Sequence, residues 1–404
     1  MHTAWVATSY ARTSEIVCVV IGKIKNCGMP RSLTDWFKVI AAIAVVGIHA
    51  TSQSETRFAA SHDLTSLDFL GVVVNQWARF SVPIFLYLSA YGLAISNKVN
   101  EDLSLSRNWL AFQSRRLPTI LVPYLFFSAI AIAMEFQNYT GNTAETALQI
   151  VTKLRTGAAD YHLYFLVILA QCYLLFPLLM RFSITRQRSY QLVTWAALFL
   201  VALLLYKGSS EAVLPHLSVT HPGWHASFAI YWLPYFMLGI LHAIRPPRPA
   251  NSIFIRIALI IAQLVVLGEY LHYASQGSPV DYYNHFSRPS VMFYALVVVY
   301  FLHTLCERRA RLPSTALRAG KSTPTFGERL APLTFSVYLL HPQVLRVLTN
   351  YAAGLPGVFL WITTVVMTFI LVYGLTLLTN KAAQKSPVWL TGPVQFFQRC
   401  LGLR

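Results

Sequence analysis

The chain has 404 residues, 55% of them hydrophobic and only 12% charged, with a mean hydropathy of +0.51. Its apolar residues fall in long blocks that repeat almost to the C-terminus, which leaves no stretch for a separate soluble domain and describes an all-α, polytopic membrane bundle. The net charge of +17 would suggest a nucleic-acid partner in a soluble protein; here most of it is an orientation signal, and no nucleic acid is expected.

In chain order, residues 1–28 hold one apolar run, "IVCVVIG", too short to span a bilayer and without a small-residue cleavage site before the next span. They read as an N-terminal extension, with Met29 of "MPRSLTDWFK" as the expected true start. The membrane domain is placed at 29–385 and a short tail at 386–404. Ten blocks are long enough to cross about 30 Å of hydrocarbon: 36–53, 78–96, 117–136, 161–180, 190–206, 228–244, 252–272, 289–306, 330–349 and 357–379. Of the 32 Lys and Arg residues, 24 lie in the N-terminal segment, the even-numbered loops and the C-terminal tail. The positive-inside rule therefore puts both termini in the cytoplasm. The basic loop from Cys306 to Leu330 faces anionic headgroups in this arrangement. The five cysteines (Cys18, Cys27, Cys172, Cys306, Cys400) are scattered and odd in number. They form neither a disulfide framework nor a zinc spacing, and no metal is expected.

Polar residues within the spans carry the functional signal, because charged or titratable groups in a bilayer are costly. The first span, "DWFKVIAAIAVVGIHATSQ", holds Lys38 and His49. Eleven residues make almost three helical turns, so the two share one face roughly 16 Å apart. Lys38 falls at the cytoplasmic edge, three residues from Asp35, and a structural reading has it snorkelling there as an ion pair. His49 falls in the outer half. The second span opens with Arg79 and carries Ser89 at its middle; the fourth places His162 near the outer surface. The ninth carries Tyr338 and His341, and Pro342 removes a backbone donor and can open the helix there. Glu135 and Glu269 lie near the outer ends of the third and seventh spans. The outer half of the bundle is thus expected to gather three histidines, a tyrosine and one or two acids. On the cytoplasmic side Arg115 and Arg116 precede the third span; they satisfy the positive-inside rule, and their planar forks also suit phosphate.

Five segments in order resemble the acyltransferase-3 family of membrane-bound acyltransferases. They are "LTDWFKVIAAIAVVGIH", "RFSVPIFLYLSAYGL", "SRRLPTILVPY", "HLYFLVILAQCYLLFPLL" and "LTFSVYLLHP", from about residue 33 to 345. The resemblance implies about ten transmembrane helices in a cell membrane. It also implies an acyl-CoA donor, usually acetyl-CoA, supplied from the cytoplasm, and a hydroxyl acceptor on a cell-surface glycan, a lipid-linked sugar or another small molecule. Position by position, it makes His49 the essential first-helix histidine, Lys38 its basic partner, Arg115 and Arg116 the cytoplasmic Arg pair, and His341 the late histidine. Three departures stand out: Lys38 where Arg is frequent, Ala90 where the second helix usually has Gly, and Tyr164 where the fourth usually has Trp.

Acyl transfer to an alcohol needs a base for the hydroxyl proton and a donor for the oxyanion. His49 is expected as general base or acyl relay, aided by His341 and Tyr338. Asp35, Lys38, Arg115 and Arg116 are expected to hold the donor, and Arg79, Ser89, His162 and Glu135 the acceptor. A proton-coupled transporter or flippase using the same His, Lys and Glu residues is the alternative, although no repeat or matched pair of broken helices supports it. A homo-oligomer is compatible with the sequence, since lipid-facing and partner-facing surfaces look alike.

Overall fold

The computed structural model of the protein describes residues 31–96, 105–136, 142–210, 227–247, 252–277, 286, 288–310, 325–352, 354–385 and 388–403. The N-terminal extension with Met29 and much of the basic loop before Leu330 lie outside them. Among the described residues all regular structure is helical. Along the chain these are α1 (Arg31–Ala50), α2 (Ser52–Ser61), α3 (Leu67–Ala78), α4 (Ser81–Ser96), α5 (Leu105–Arg116), α6 (Pro118–Met134), α7 (Thr143–Thr156) and α8 (Tyr164–Thr185). The second half comprises α9 (Arg188–Ser210), α10 (Leu233–Ile244), α11 (Ser252–Ser275), α12 (Pro289–Ala310), α13 (Phe326–Leu330), α14 (Thr334–Tyr351), α15 (Gly357–Lys385) and α16 (Val388–Cys400).

Among the described residues seven helical segments are long and apolar enough to cross a membrane: Leu33–Ala50, Leu67–Ser96, Trp109–Met134, Tyr164–Thr185, Arg188–Leu205, Ser252–Ser275 and Gly357–Gln384. The other three expected spans fall on α14 and on the shorter apolar helices Leu233–Ile244 and Pro289–Leu305. Large apolar side chains of α11 and α15 stand exposed in rows, among them Ile253, Phe254, Ile257, Ile260, Ile261 and Leu264, and Phe359, Ile362, Val366 and Ile370. Helices of that composition with their outer faces uncovered suit a lipid surround.

Local sequence explains where the long spans break. Pro83 cannot donate to the Arg79 carbonyl and its ring crowds that carbonyl, so α3 and α4 part at Arg79–Phe80 and Pro83 sits in the first turn of α4. Pro118 likewise opens α6 after Leu117. The fourth span begins later than expected, at Tyr164, because Gly157 closes α7 with φ +75° and starts a turn through residues 157–163. A Cβ at Gly157 would lie 2.4 Å from the Tyr164 Cα, so only glycine allows this approach.

The core lies between α1, α4, α8, α10 and α14. α10 is buried along its whole length and packs most extensively on α4. α15 closes against α1, where the Trp361 indole lies over Gly47 and donates to the Ile43 carbonyl at 2.9 Å. In the tail, residues 388–400 form α16, which packs back on α15 and α6. Leu401 and Leu403 are buried behind it.

Candidate active site

Three elements bring the predicted histidines together: α1 carries His49, the turn before α8 carries His162, and α14 carries His341. The His49 ring stacks on His341 with centroids 5.3 Å apart, and the His162 ring meets His341 edge-on at 5.6 Å. Tyr338 joins them 5.5 Å from His162 and donates its hydroxyl to the His162 carbonyl. The His49 ring also meets the Tyr161 ring, at 4.6 Å. His162 and His341 are buried; His49 is half-buried. Among the described residues no group of three or more His, Cys, Asp or Glu side chains is arranged to hold a metal ion.

The state of His341 follows from the residue after it. Pro342 has no N–H, so the Tyr338 carbonyl four residues back receives no helical bond from it. The helix nevertheless runs unbroken from Thr334 to Tyr351. His341 Nδ1 lies 2.7 Å from the Tyr338 carbonyl and takes the missing donor's place. A carbonyl can only accept, so the proton sits on Nδ1 and the Nε2 lone pair is left to accept. Among the described residues that Nε2 has no hydrogen-bond partner, and neither do the two ring nitrogens of His162 or Asp160 Oδ2, all buried. Orphaned buried polar atoms are rare in folded proteins and call for a polar occupant.

The acid of this cluster is Asp160. Its Oδ1 accepts the Tyr161 N–H at 2.8 Å, pairs with Arg346 Nη2 at 2.7 Å and lies 3.7 Å from His162 Nδ1. Burial works to raise the carboxyl, but His162 and Arg346 outweigh it and hold Asp160 below the ordinary carboxylate range. The two glutamates expected here are elsewhere. Glu135 pairs with Lys153 at 2.7 Å on the surface, and Glu269 accepts from Ser290 beside Arg288.

A cavity of about 370 Å³ opens beside His49, walled by Ser52, Gln53, Tyr161, Arg346 and Thr349. A second, of about 420 Å³, opens near Lys38 and reaches Tyr338; Asp35, Ser89, Tyr173 and Gly402 are in its wall. Between them lies a void of about 10 Å³ touched by His49, His162, Phe165 and Tyr338. That is room for about one water. His49 belongs to the wall of the first cavity and of the void, and Tyr338 to the wall of the second and of the void. The cluster is a partition between two cavities.

Lys38 Nζ pairs with Asp35 Oδ1 at 2.8 Å, on the wall of the larger cavity. Ser89 Oγ is 2.9 Å from the Tyr173 hydroxyl in the same wall. Arg115 and Arg116 end α5 outside that wall; the Arg115 Nε donates to the Ala111 carbonyl, while Thr119 and Ile120, one turn on, are in it. Arg79 lines neither cavity. It is fully buried, because a guanidinium taken out of water requires a carboxylate and Glu55 supplies one at 3.3 Å.

Around Arg79 a network hidden from sequence reading fixes the His49 end of α1. Gln76 Nε2 donates to Glu55 at 2.7 Å, Arg288 Nη2 donates to Gln76 Oε1 at 2.6 Å, and Arg79 Nη2 donates to Asn75 Oδ1 at 2.6 Å. Asn75 Nδ2 donates in turn to the carbonyl of Ile48, the residue before His49, at 2.9 Å. α2, α3 and the start of α12 are thereby tied to the backbone that carries the central imidazole.

A family model described as an acyltransferase domain matches residues 34–379. No curated protein and no solved structure matches the chain. The match takes in every helix that contributes to the partition, from α1 with His49 to α14 with His341, and the chain belongs to the acyltransferase-3 family.

Proposed function

We propose that the protein moves an acyl group, acetyl in the simplest case, from cytoplasmic acyl-CoA to a hydroxyl of a cell-surface glycan, a lipid-linked sugar or another small acceptor. The observation that carries this is the place of His49, in the partition between two cavities lined from opposite ends of α1, Asp35 and Lys38 in one and His49 and Ala50 in the other. With ten crossings and both termini in the cytoplasm, as the Lys and Arg distribution supports, the Lys38 cavity faces the cytoplasm and takes the donor. Lys38, paired with Asp35, stands in its wall, and Arg115 and Arg116 lie outside it where the phosphates of CoA would remain in water. The pantetheine arm then runs along the α1 face toward His49, about 16 Å away.

In the transfer the acyl carbon leaves sulfur and bonds to the acceptor oxygen. His49 accepts the hydroxyl proton, which passes to the departing thiolate, and free CoA thiol is released. In the relay form a His49 ring nitrogen carries the acyl group between the two bonds, which suits a partition with space for about one water. His341, with Nδ1 engaged by its own helix, keeps Nε2 free to accept a proton or to orient His49.

Mass spectrometry of surface glycans and small secreted metabolites from wild-type and deletion cells tests the reading. One acyl mass lost from one component identifies both partners. Two identical profiles contradict the proposal.

Pro342→Ala tests the part given to His341. The new N–H competes with His341 Nδ1 for the Tyr338 carbonyl and releases the tautomer, so activity falls about tenfold while thermal stability holds or rises. Unchanged activity would show that the tautomer of His341 does not matter.

A further inference from the structure

On the reading that the His49-side cavity receives the acceptor, we infer that the acceptor carries an anionic group, a carboxylate or a phosphate, and that Arg346 holds it one aromatic ring away from His49. Among the described residues Arg346 is the only formally charged side chain in the wall of that cavity; Ser52, Gln53 and Thr349 supply neutral polar groups. Its guanidinium carbon stands 6.0 Å over the Tyr161 ring, and the centroid of the same ring lies 4.6 Å from that of His49.

Asp160 does not account for where Arg346 stands. The carboxylate is sealed behind the cavity wall with its side chain 1% exposed, whereas the Arg346 side chain is 37% exposed. A guanidinium serving only as counter-charge would be drawn fully inward, as Arg79 is toward Glu55. Nη2 is committed to Asp160, and among the described residues the Tyr161 ring is the only other partner of the group. A guanidinium has five N–H donors in a planar fork, so one edge remains for a ligand that can accept two parallel bonds. Carboxylates and phosphates have that geometry. An anion there would tether the acceptor and leave its hydroxyl to reach His49 past the Tyr161 face. The transfer itself keeps the balance given above, and the anion takes no part in bond making.

Two sources supply such a group: an acidic or phosphorylated sugar, and the headgroup of an anionic lipid. The experiment uses the full chain in detergent and reads melting midpoint with glucose, glucuronate and glucose 1-phosphate, and with phosphatidylglycerol against phosphatidylcholine vesicles. In parallel, thiol release from acetyl-CoA is followed with the same three sugars. The expected result is a dose-dependent rise in midpoint with both soluble acids and none with glucose, and faster thiol release with the acids. Arg346→Gln abolishes both preferences. Because that change strips Asp160 of its counter-charge, Arg346→Lys is measured beside it; it keeps the charge but not the fork and weakens half-saturation about tenfold. A midpoint raised by phosphatidylglycerol and not by the soluble acids supports the anion site and assigns it to a lipid headgroup. Equal effects of glucose and glucuronate, or acids that act alike on wild type and Arg346→Gln, overturn the inference. Acids that stabilise only the wild type, with thiol release from no acceptor, support the anion site and remove the acyl-transfer reading.

Discussion

His49→Ala is expected to remove acyl transfer while acetyl-CoA binding stays within about twofold of wild type. The separation of the two effects follows from position. His49 is in the wall of the partition, not of the cavity beside Lys38, so the donor loses no contact there when the imidazole goes. The depth of the loss distinguishes two roles. Removal of a general base costs about 10² to 10⁴ in rate, whereas removal of a group that carries the acyl leaves no route at all. Rates from purified protein, with donor binding measured by calorimetry on the same preparation, give both quantities. Full activity in the variant would displace His49 from the mechanism.

Glu55→Ala is expected to destabilise the protein by about 3–5 kcal/mol, the range for stripping a buried charge of its partner. Glu55 and Arg79 are both sealed from solvent at 3.3 Å. Without that carboxylate, Arg79 is left among Asn75, the Phe286 ring and Arg288 beyond Gln76. The Asn75 bond to the Ile48 carbonyl is then loosened, and His49 with it. The double variant Glu55→Met, Arg79→Met removes both charges and recovers most of the loss, since well-packed apolar replacements of buried ion pairs are often neutral. Denaturant titration in detergent reads the difference. A single variant as stable as wild type would mean that the network does not support the fold.

The gathering of His49, His162, His341 and Tyr338 was legible because depth along a helix follows from residue count, and titratable groups at one depth in lipid have few places to face but one another. Glu135 and Glu269 were misplaced for the same reason: depth says nothing about rotation, and Lys153 and Arg288 hold them elsewhere. Asp160 and Tyr161 are not legible because they lie in the turn through 157–163, which straddles the start of the expected span 161–180, and the decisive datum is the φ of Gly157. Arg346 shows in the sequence only as a charge within the ninth span, since its pairing with Asp160 joins residues distant in sequence. Glu55 sits in what hydropathy treats as a polar loop, yet α2 folds back and buries it completely. His341 is a middle case. The His-Pro pair was visible, but that the imidazole would stand in for the missing backbone donor depends on a rotamer.

The central claim, acyl transfer at His49 between two cavities, is tested most directly by thiol release from acetyl-CoA. The assay uses purified protein supplied with an extract of surface glycans and small metabolites from deletion cells. The account predicts release that requires the extract, ends when its acceptor is consumed and is lost in His49→Ala. Release that is the same in His49→Ala as in wild type, or no release while the reconstituted protein moves a solute across the bilayer, would contradict it.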